Sequence, residues 1–209
     1  PKQIIMQHKV IDVKDVVIRF AGDSGDGMQL TGTLFADSSA IDGNGISTFP
    51  DYPAEIRAPQ GTISGVSGFQ VHIGSEAVNT PGDFCDVLVA MNPAALKANA
   101  KWAKPTATII VDTDSFDDTN MAKAGFKTDN PFTELGVEDR TLLVCPITTL
   151  TKESLKDSGM DNKSIVRCKN MFTLGMCFFI FNKELDNTYA YLEKKFKKKP
   201  ELIEPNKKV

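Results

Sequence analysis

Six residues, Gly22-Asp-Ser-Gly-Asp-Gly27, restrict what this chain can fold into more than any others do. They follow a β-rich apolar run, VVIRFA at 16–21, and precede a helix-forming stretch at 28–40. A strand that ends in glycines and turns into a helix is the opening of an α/β unit, because glycine lets the backbone turn tightly and approach a ligand closely. The unpaired N–H groups of the first helical turn then face whatever lies above it, and the helix dipole favours an anion. The glycines fall as G-x-x-G-x-G, whereas the dinucleotide fingerprint is G-x-G-x-x-G. The loop therefore predicts a phosphate cradle, with a purely structural turn as the alternative. Asp23 and Asp26 bring negative charge to the same place. That charge must be solvated, turned away or offset, and Arg19 and Arg57 are the cations the sequence offers.

Downstream, strands alternate with helices. In the 28–40 helix, Leu30, Leu34 and Ala40 make an inward stripe, and Gly43 and Gly45 stop it. A strand is predicted at 46–49. In another, at 69–73, Phe69, Val71 and Ile73 alternate with Gln70 and His72, which predicts one wet face. DVLVAM at 86–91 reads as a buried strand, with Pro93 placed to start a helix over 94–103. Strands follow at 106–111 and 142–146. The stretch 112–139, rich in Asp, Thr, Asn and Gly, reads as a long excursion of little regular structure. A hydrophobic helix at 163–181, buried on most sides, and an amphipathic one around Tyr189, Leu192 and Phe196 complete the pattern. This predicts an α/β fold: a Rossmann-like open, mostly parallel sheet with helices on both faces. The expected division is one domain over 1–185, then a C-terminal helix and polar, proline-broken linker over 186–209 leading toward a further domain.

The 209 residues are 41% hydrophobic and carry a net charge of −3, enough for a core and too acidic for a nucleic-acid or anionic-membrane partner. Lys194, Lys195, Lys197, Lys198 and Lys199 are a local exception. Cys85, Cys145, Cys168 and Cys177 show no C-x-x-C spacing, and His8 and His72 lie far from them. No zinc or iron–sulfur framework follows, and the cysteines read as small buried thiols of a cytoplasmic protein. The first 15 residues have no apolar core of a signal peptide, and the apolar run at 175–181 is too short to span a bilayer. No histidine is paired with a nucleophile, so no catalytic set is present and the chain by itself is expected to be inactive.

FPDYPAEIRAPQG at 49–61 is stiffened by three prolines and carries Glu55 and Arg57. An arginine on a stiff loop suits phosphate or carboxylate, and a pair with Glu55 or Asp51 is the bland alternative. The order of these pieces carries a resemblance. The glycine loop, a helix, FPDYPAEIRAPQG, a strand reaching VHIGS, DVLVAMNPAAL, ATIIVD and the late RCKNMFTLGM at 167–176 together resemble the gamma domain of 2-oxoacid:ferredoxin oxidoreductases. The likeness runs over about 16–181. The family's loop reads G-x-G-G-Q-G. Here Ser24 stands for a glycine and Asp26 for the glutamine, a variant similar to the gamma domain fused at the N-terminus of the alpha subunit in 2-oxoglutarate-type enzymes.

The resemblance implies a part of an enzyme that oxidatively decarboxylates a 2-oxoacid to an acyl-CoA and passes electrons to ferredoxin. Thiamine diphosphate and iron–sulfur clusters would sit in other domains or subunits. The partners implied are the remaining alpha-subunit domains and a thiamine-diphosphate-binding beta subunit. The gamma domain is associated with coenzyme A. By the same resemblance Gly22, Ser24, Gly25, Asp26, Gly27 and Met28 would line the pocket, Glu55 and Arg57 would border it, and Asn92 would sit on its rim. Two other readings stay open: a free-standing NAD(P)-binding protein with Asp51 as the ribose acid, and a docking scaffold with a vestigial pocket.

Overall fold

The computed structural model describes residues 11–55 and 57–209. His8 and most of the N-terminal stretch examined for a signal lie outside the described residues. The elements are β1 (Asp15–Asp23), α1 (Met28–Ile41), β2 (Gly45–Asp51), β3 (Val66–Gly74), β4 (Cys85–Ala90), α2 (Pro93–Asn99), β5 (Ala103–Asp112), α3 (Asp118–Lys123), α4 (Pro131–Glu134), β6 (Thr141–Cys145), α5 (Ile147–Ser154), α6 (Asn162–Arg167), α7 (Lys169–Ile180), α8 (Asp186–Lys195) and α9 (Ile203–Lys208).

The six strands form one sheet in the order β2-β3-β1-β4-β5-β6. β1, β4, β5 and β6 run parallel, with Phe20 opposite Val89 and Ile110 opposite Leu143. β3 runs against both its neighbours, pairing Phe20 with Phe69 and Thr48 with Val71. The mostly parallel α/β sheet expected from the alternation is present. It departs from the dinucleotide-binding order in one respect, since a reversed β3 separates β1 from β2.

Alternate residues of the central strands feed two cores. Ile18, Phe20, Val71, Val89 and Met91 pack with Leu34 and Phe35 of α1 and with Leu174 and Phe178 of α7. Val17, Leu88, Ala90 and Ile109 pack with Ala95 and Leu96 of α2. Hence α1 and α2 cover opposite faces. They leave the sheet from the carboxyl ends of the adjacent strands β1 and β4, which opens a crevice between them. Helix α1 approaches β3 so closely that a Cβ on Gly32 would lie 2.3 Å from the Phe69 ring.

Several local expectations need correction. Leu34 is buried as expected, but Ala40 is exposed, and α1 also buries Met28, Thr31, Phe35, Ser38 and Ser39. The polar face of β3 is not wet: Gln70 is buried, its amide donating to the carbonyls of Pro81 and Gly82 in the covering loop. The helix expected through 163–181 breaks at Cys168 into α6 and α7, and its end is uncovered at Phe179 and Ile180. The 112–139 excursion holds two short helices, each capped by a side chain, Asp117 for α3 and Asn130 for α4. The polar stretch after 198 carries a 3-10 turn and α9, whose neighbour α8 buries Leu192 in the main core. Among the described residues no helix is long and apolar enough to cross a membrane.

Candidate functional site

The glycine loop closes as a tight turn in which the Asp26 amide donates to the Asp23 carbonyl over 2.9 Å and the Asp26 carboxylate accepts from the Asp23 amide over 2.9 Å. Gly27 is the N-cap of α1, at φ 75°, a left-handed conformation that favours glycine. No side chain caps the first amides of α1, so they remain available above the turn. The other glycines differ in what surrounds them. A Cβ on Gly22 would meet the Asp26 carboxylate at 2.8 Å, and one on Gly27 the Asn170 amide at 2.6 Å. One on Gly25 would meet no described atom within 4 Å, and Ser24 beside it is exposed. The loop therefore presents its Ser24–Gly25 backbone outward, while Met28 is buried beneath it.

The two loop carboxylates are each engaged from outside the loop. Asp26 pairs with Lys169 at 2.8 Å, and both side chains are largely buried. Asp23 accepts the Gly61 amide at 3.0 Å. Its other oxygen, Oδ1, is buried with no hydrogen-bond partner among the described residues. Burial and then the Asp26 charge push the Asp23 carboxyl above the usual carboxylate range, against the lowering effects of the Gly61 amide, Asn92 and Lys169. The Asn92 side chain stands close enough to lower the carboxyl as a hydrogen-bond donor does, although Oδ1 makes no hydrogen bond of normal geometry among the described residues. Asn92 itself caps α2, its Oδ1 accepting the Ala95 amide at 2.8 Å, so it stands at the carboxyl end of β4, across the crevice from Asp23.

A raised carboxyl holds its proton more tightly in the folded than in the unfolded chain, so the stability it contributes falls as pH rises through the raised range. Asp23→Asn is therefore expected to raise the thermal midpoint at neutral pH. Below the ordinary carboxylate range it should leave the midpoint unchanged, because Asp23 is then protonated in both states. An equal shift at both pH values, read by calorimetry, would contradict this.

Residues 52–65 form an arm between β2 and β3. Both of its stems are fastened. At the β2 stem, Arg19 pairs with Asp51 and also donates to Asn99 and Gln70 at 2.6 and 3.1 Å. Gln29 in the first turn of α1 donates to the Gly68 carbonyl at 2.6 Å and to the Asp51 carbonyl at 3.3 Å. The far stem is held by the Asp23–Gly61 bond. Between them Glu55 and Arg57 are exposed, and Arg57 makes no ion pair or hydrogen bond among the described residues.

Arg19 is thus not a cation free to offset Asp23 and Asp26, as the sequence suggested; it is buried in its own network. Lys169 takes that part. The only hint of it in the sequence was its place beside Asn170-Met171 in the late RCKNM motif. Asp51 is engaged by Arg19 and lies on a strand that β3 separates from β1, so it is not placed as a ribose-binding acid. Gly22, Ser24, Gly25, Asp26, Gly27 and Met28 lie in one turn, with Gly22 and Met28 buried and Ser24 and Gly25 exposed, and Asn92 stands next to Asp23 of that turn. Glu55 and Arg57 lie on the fastened arm beside it.

The four cysteines do not serve this site. Burial pushes the thiols of Cys85 up to about 11 and Cys177 up to about 12, and raises Cys145 and Cys168 as well. Thiols held in the protonated form are poor nucleophiles and poor metal ligands. Among the described residues no group of three His, Cys, Asp or Glu could hold a metal ion.

Residues 17–209 match the family model described as pyruvate ferredoxin/flavodoxin oxidoreductase. The chain is 46% identical over 194 residues to the 2-oxoglutarate oxidoreductase subunit KorA of Mycobacterium tuberculosis, covering 93% of this chain and 30% of that protein. It therefore spans about a third of the length of that curated relative. Among solved structures it is similar to the 2-oxoglutarate:ferredoxin oxidoreductase of Magnetococcus marinus, solved with 2-oxoglutarate, coenzyme A and succinyl-CoA bound (TM-score 0.68, 27% identity, 93% of this chain and 29% of that one). It is similar in fold to the keto/oxoacid ferredoxin oxidoreductase gamma subunit of Geobacter sulfurreducens (TM-score 0.59, 19% identity, 91% of each chain). The same holds for the pyruvate oxidoreductase subunit PORC of Thermotoga maritima (TM-score 0.55, 21% identity, 94% of this chain and 93% of that one).

Proposed function

Since the chain belongs to the pyruvate ferredoxin/flavodoxin oxidoreductase family, we propose that it is the gamma module of a cytoplasmic 2-oxoglutarate:ferredoxin oxidoreductase and that its crevice receives coenzyme A. The enzyme of which it is part oxidatively decarboxylates 2-oxoglutarate, transfers the succinyl group to coenzyme A and passes two electrons to ferredoxin. Thiamine diphosphate and the iron–sulfur clusters belong to other domains or a beta subunit, a reading supported by the family to which the chain belongs. The 46% identity to a 2-oxoglutarate oxidoreductase subunit favours 2-oxoglutarate among 2-oxoacids.

For the coenzyme A role one observation carries the reading. The backbone at Gly25 is open to solvent over an uncapped helix N-terminus, in the crevice between two parallel strands whose helices depart to opposite faces. Such a place suits a phosphate. The objection from two loop acids is weakened, because Lys169 balances Asp26 and Gly61 occupies one oxygen of Asp23. Arg57, exposed on the adjoining arm, supplies a cation for the phosphates. Coenzyme A provides the thiol that accepts the acyl group. The residues of this chain bind and orient it.

Calorimetric titration with coenzyme A, at low and moderate salt, tests the reading on the assembled enzyme and on this chain. Binding should weaken with salt and fall roughly tenfold with Arg57→Ala, the expected loss of one charged hydrogen-bonding contact. Gly25→Val should leave the fold intact, since its side chain meets no described atom, yet it should block the ligand's approach. Coenzyme A binding to the assembled enzyme unaffected by either variant would place the ligand elsewhere.

A further inference from the structure

The sequence marked Asp23 only as a charge that an anion would meet, yet it joins three segments of the crevice. It ends β1, its carboxylate accepts the Gly61 amide of the arm, and it faces the Asn92 cap of α2. Buried carboxylates are costly unless each oxygen is paired, and this one keeps an oxygen with no partner among the described residues, beside the like charge of Asp26. A neutral residue would fill the volume at lower cost. What the carboxylate supplies is one bond to the arm, across 38 positions of sequence. The arm's β2 side is fastened through Arg19 and Gln29 acting on the Asp51 stem, and Gln29 also reaches the Gly68 carbonyl of β3 beyond the arm's far end. Its internal bonds are sparse: the Glu55 amide to the Ser64 carbonyl at 3.2 Å, and a few turn contacts.

We propose that Asp23 is a positioning residue, whose carboxylate pins Gly61 and so holds the Arg57-bearing arm against the mouth of the glycine loop. This deepens the coenzyme A reading and rests on it only for the consequence, not for the pinning. In this role the acceptor oxygen matters and the negative charge does not. A charge at Asp23 opposes an anionic ligand directly, whereas the bond to Gly61 assists it indirectly by keeping Arg57 in place. The two contributions have opposite signs, so substitutions separate them.

The pinning is read without ligand. Arg57 is exposed and followed by Ala58, so the bond between them is a tryptic site whose cleavage rate reports how freely the arm opens. In the intact protein Asp23→Ala should speed cleavage after Arg57 roughly tenfold, the opening expected from one lost buried hydrogen bond. Cleavage after Lys194 and Lys195, on exposed positions of α8, serves as the internal control and should not change. Asp23→Asn keeps an acceptor for the Gly61 amide and should cleave as the parent does, so it carries the test should the alanine variant fail to fold. Faster cleavage after Arg57 in Asp23→Asn at a thermal midpoint no lower than the parent's, or no change in a folded Asp23→Ala, overturns the proposal.

The functional consequence is read separately, as the coenzyme A KM and kcat of the assembled enzyme. Asp23→Ala should raise KM with kcat little changed, and its effect should vanish in an Arg57→Ala background, because both variants remove the same contact. Additive losses would show that Asp23 does not act through the arm. If cleavage responds as expected while coenzyme A binding responds to neither residue, the pinning stands and the assignment of the ligand falls.

Discussion

Phe35→Ala is expected to cost about 3–5 kcal/mol of folding stability, read as a large drop in the urea midpoint, with little change in what the crevice binds per folded molecule. Phe35 is fully buried on α1, between the sheet and α7. Its ring lies 6.0 Å from Phe20, 5.7 Å from Phe178 and 5.4 Å from Phe181, two of these contacts edge-on. Truncation removes those contacts and leaves a cavity that three rigid rings cannot collapse to fill. Phe35→Leu should recover part of the loss. A cost below about 1 kcal/mol for the alanine variant would show that α1 is not held by this cluster.

Lys169→Met is expected to cost about 3 kcal/mol, because removing one partner of a buried ion pair strands the other. The stranded group is Asp26, which would keep its bond from the Asp23 amide but face the Asp23 carboxylate with no cation near. The effect should reach the crevice, since Asp26 shapes the turn that carries Gly25. Asp26→Asn in the same chain should restore most of the stability, as it removes the uncompensated charge. Chemical denaturation of the two single variants and the double variant measures this coupling. Additive losses would mean that the pair contributes nothing beyond its separate side chains.

The strands were legible because each is a short apolar run bounded by glycine, proline or polar residues, and every strand so read is present within a few residues of its expected ends. Helix α2 could be read from Pro93 and its alanines. Helices α3 and α4 could not, since each is a turn or two held by a side-chain cap at Asp117 or Asn130 rather than by an apolar stripe. The reversal of β3 was equally hidden. Its alternation of apolar and polar residues is what an exposed strand would show. Only the tertiary partners of Gln70 (Arg19 and the carbonyls of Pro81 and Gly82) explain polar residues on a covered face.

In the crevice the glycine pattern was visible, because backbone requirements are written in residue type. The charge balance was not. Local sequence suggested the two nearest arginines. The cation that answers Asp26 comes instead from α7, more than a hundred positions away, and Arg19 is committed to Asn99, Gln70 and Asp51. The resemblance pointed to the glycine loop without indicating which of its acids would be engaged by other segments.

The reversed β3 also bears on how the chain is made. β1 pairs with β3 along nine positions, from Asp15 with Gly74 to Asp23 with Val66, and β2 joins the sheet only through β3. A ribosome adding ~5–20 residues per second completes β2 roughly 1–5 s, and β1 longer still, before it completes the strand that unites them. During that interval the apolar strand β1 has no sheet to enter, and α1 alone can cover it. Nascent chains halted before residue 66 should therefore depend on chaperones, whereas those extended past 90, with β3 and β4 flanking β1, should not. Vectorial synthesis thus makes β3, rather than the glycine loop that precedes it, the point at which this module acquires a fold.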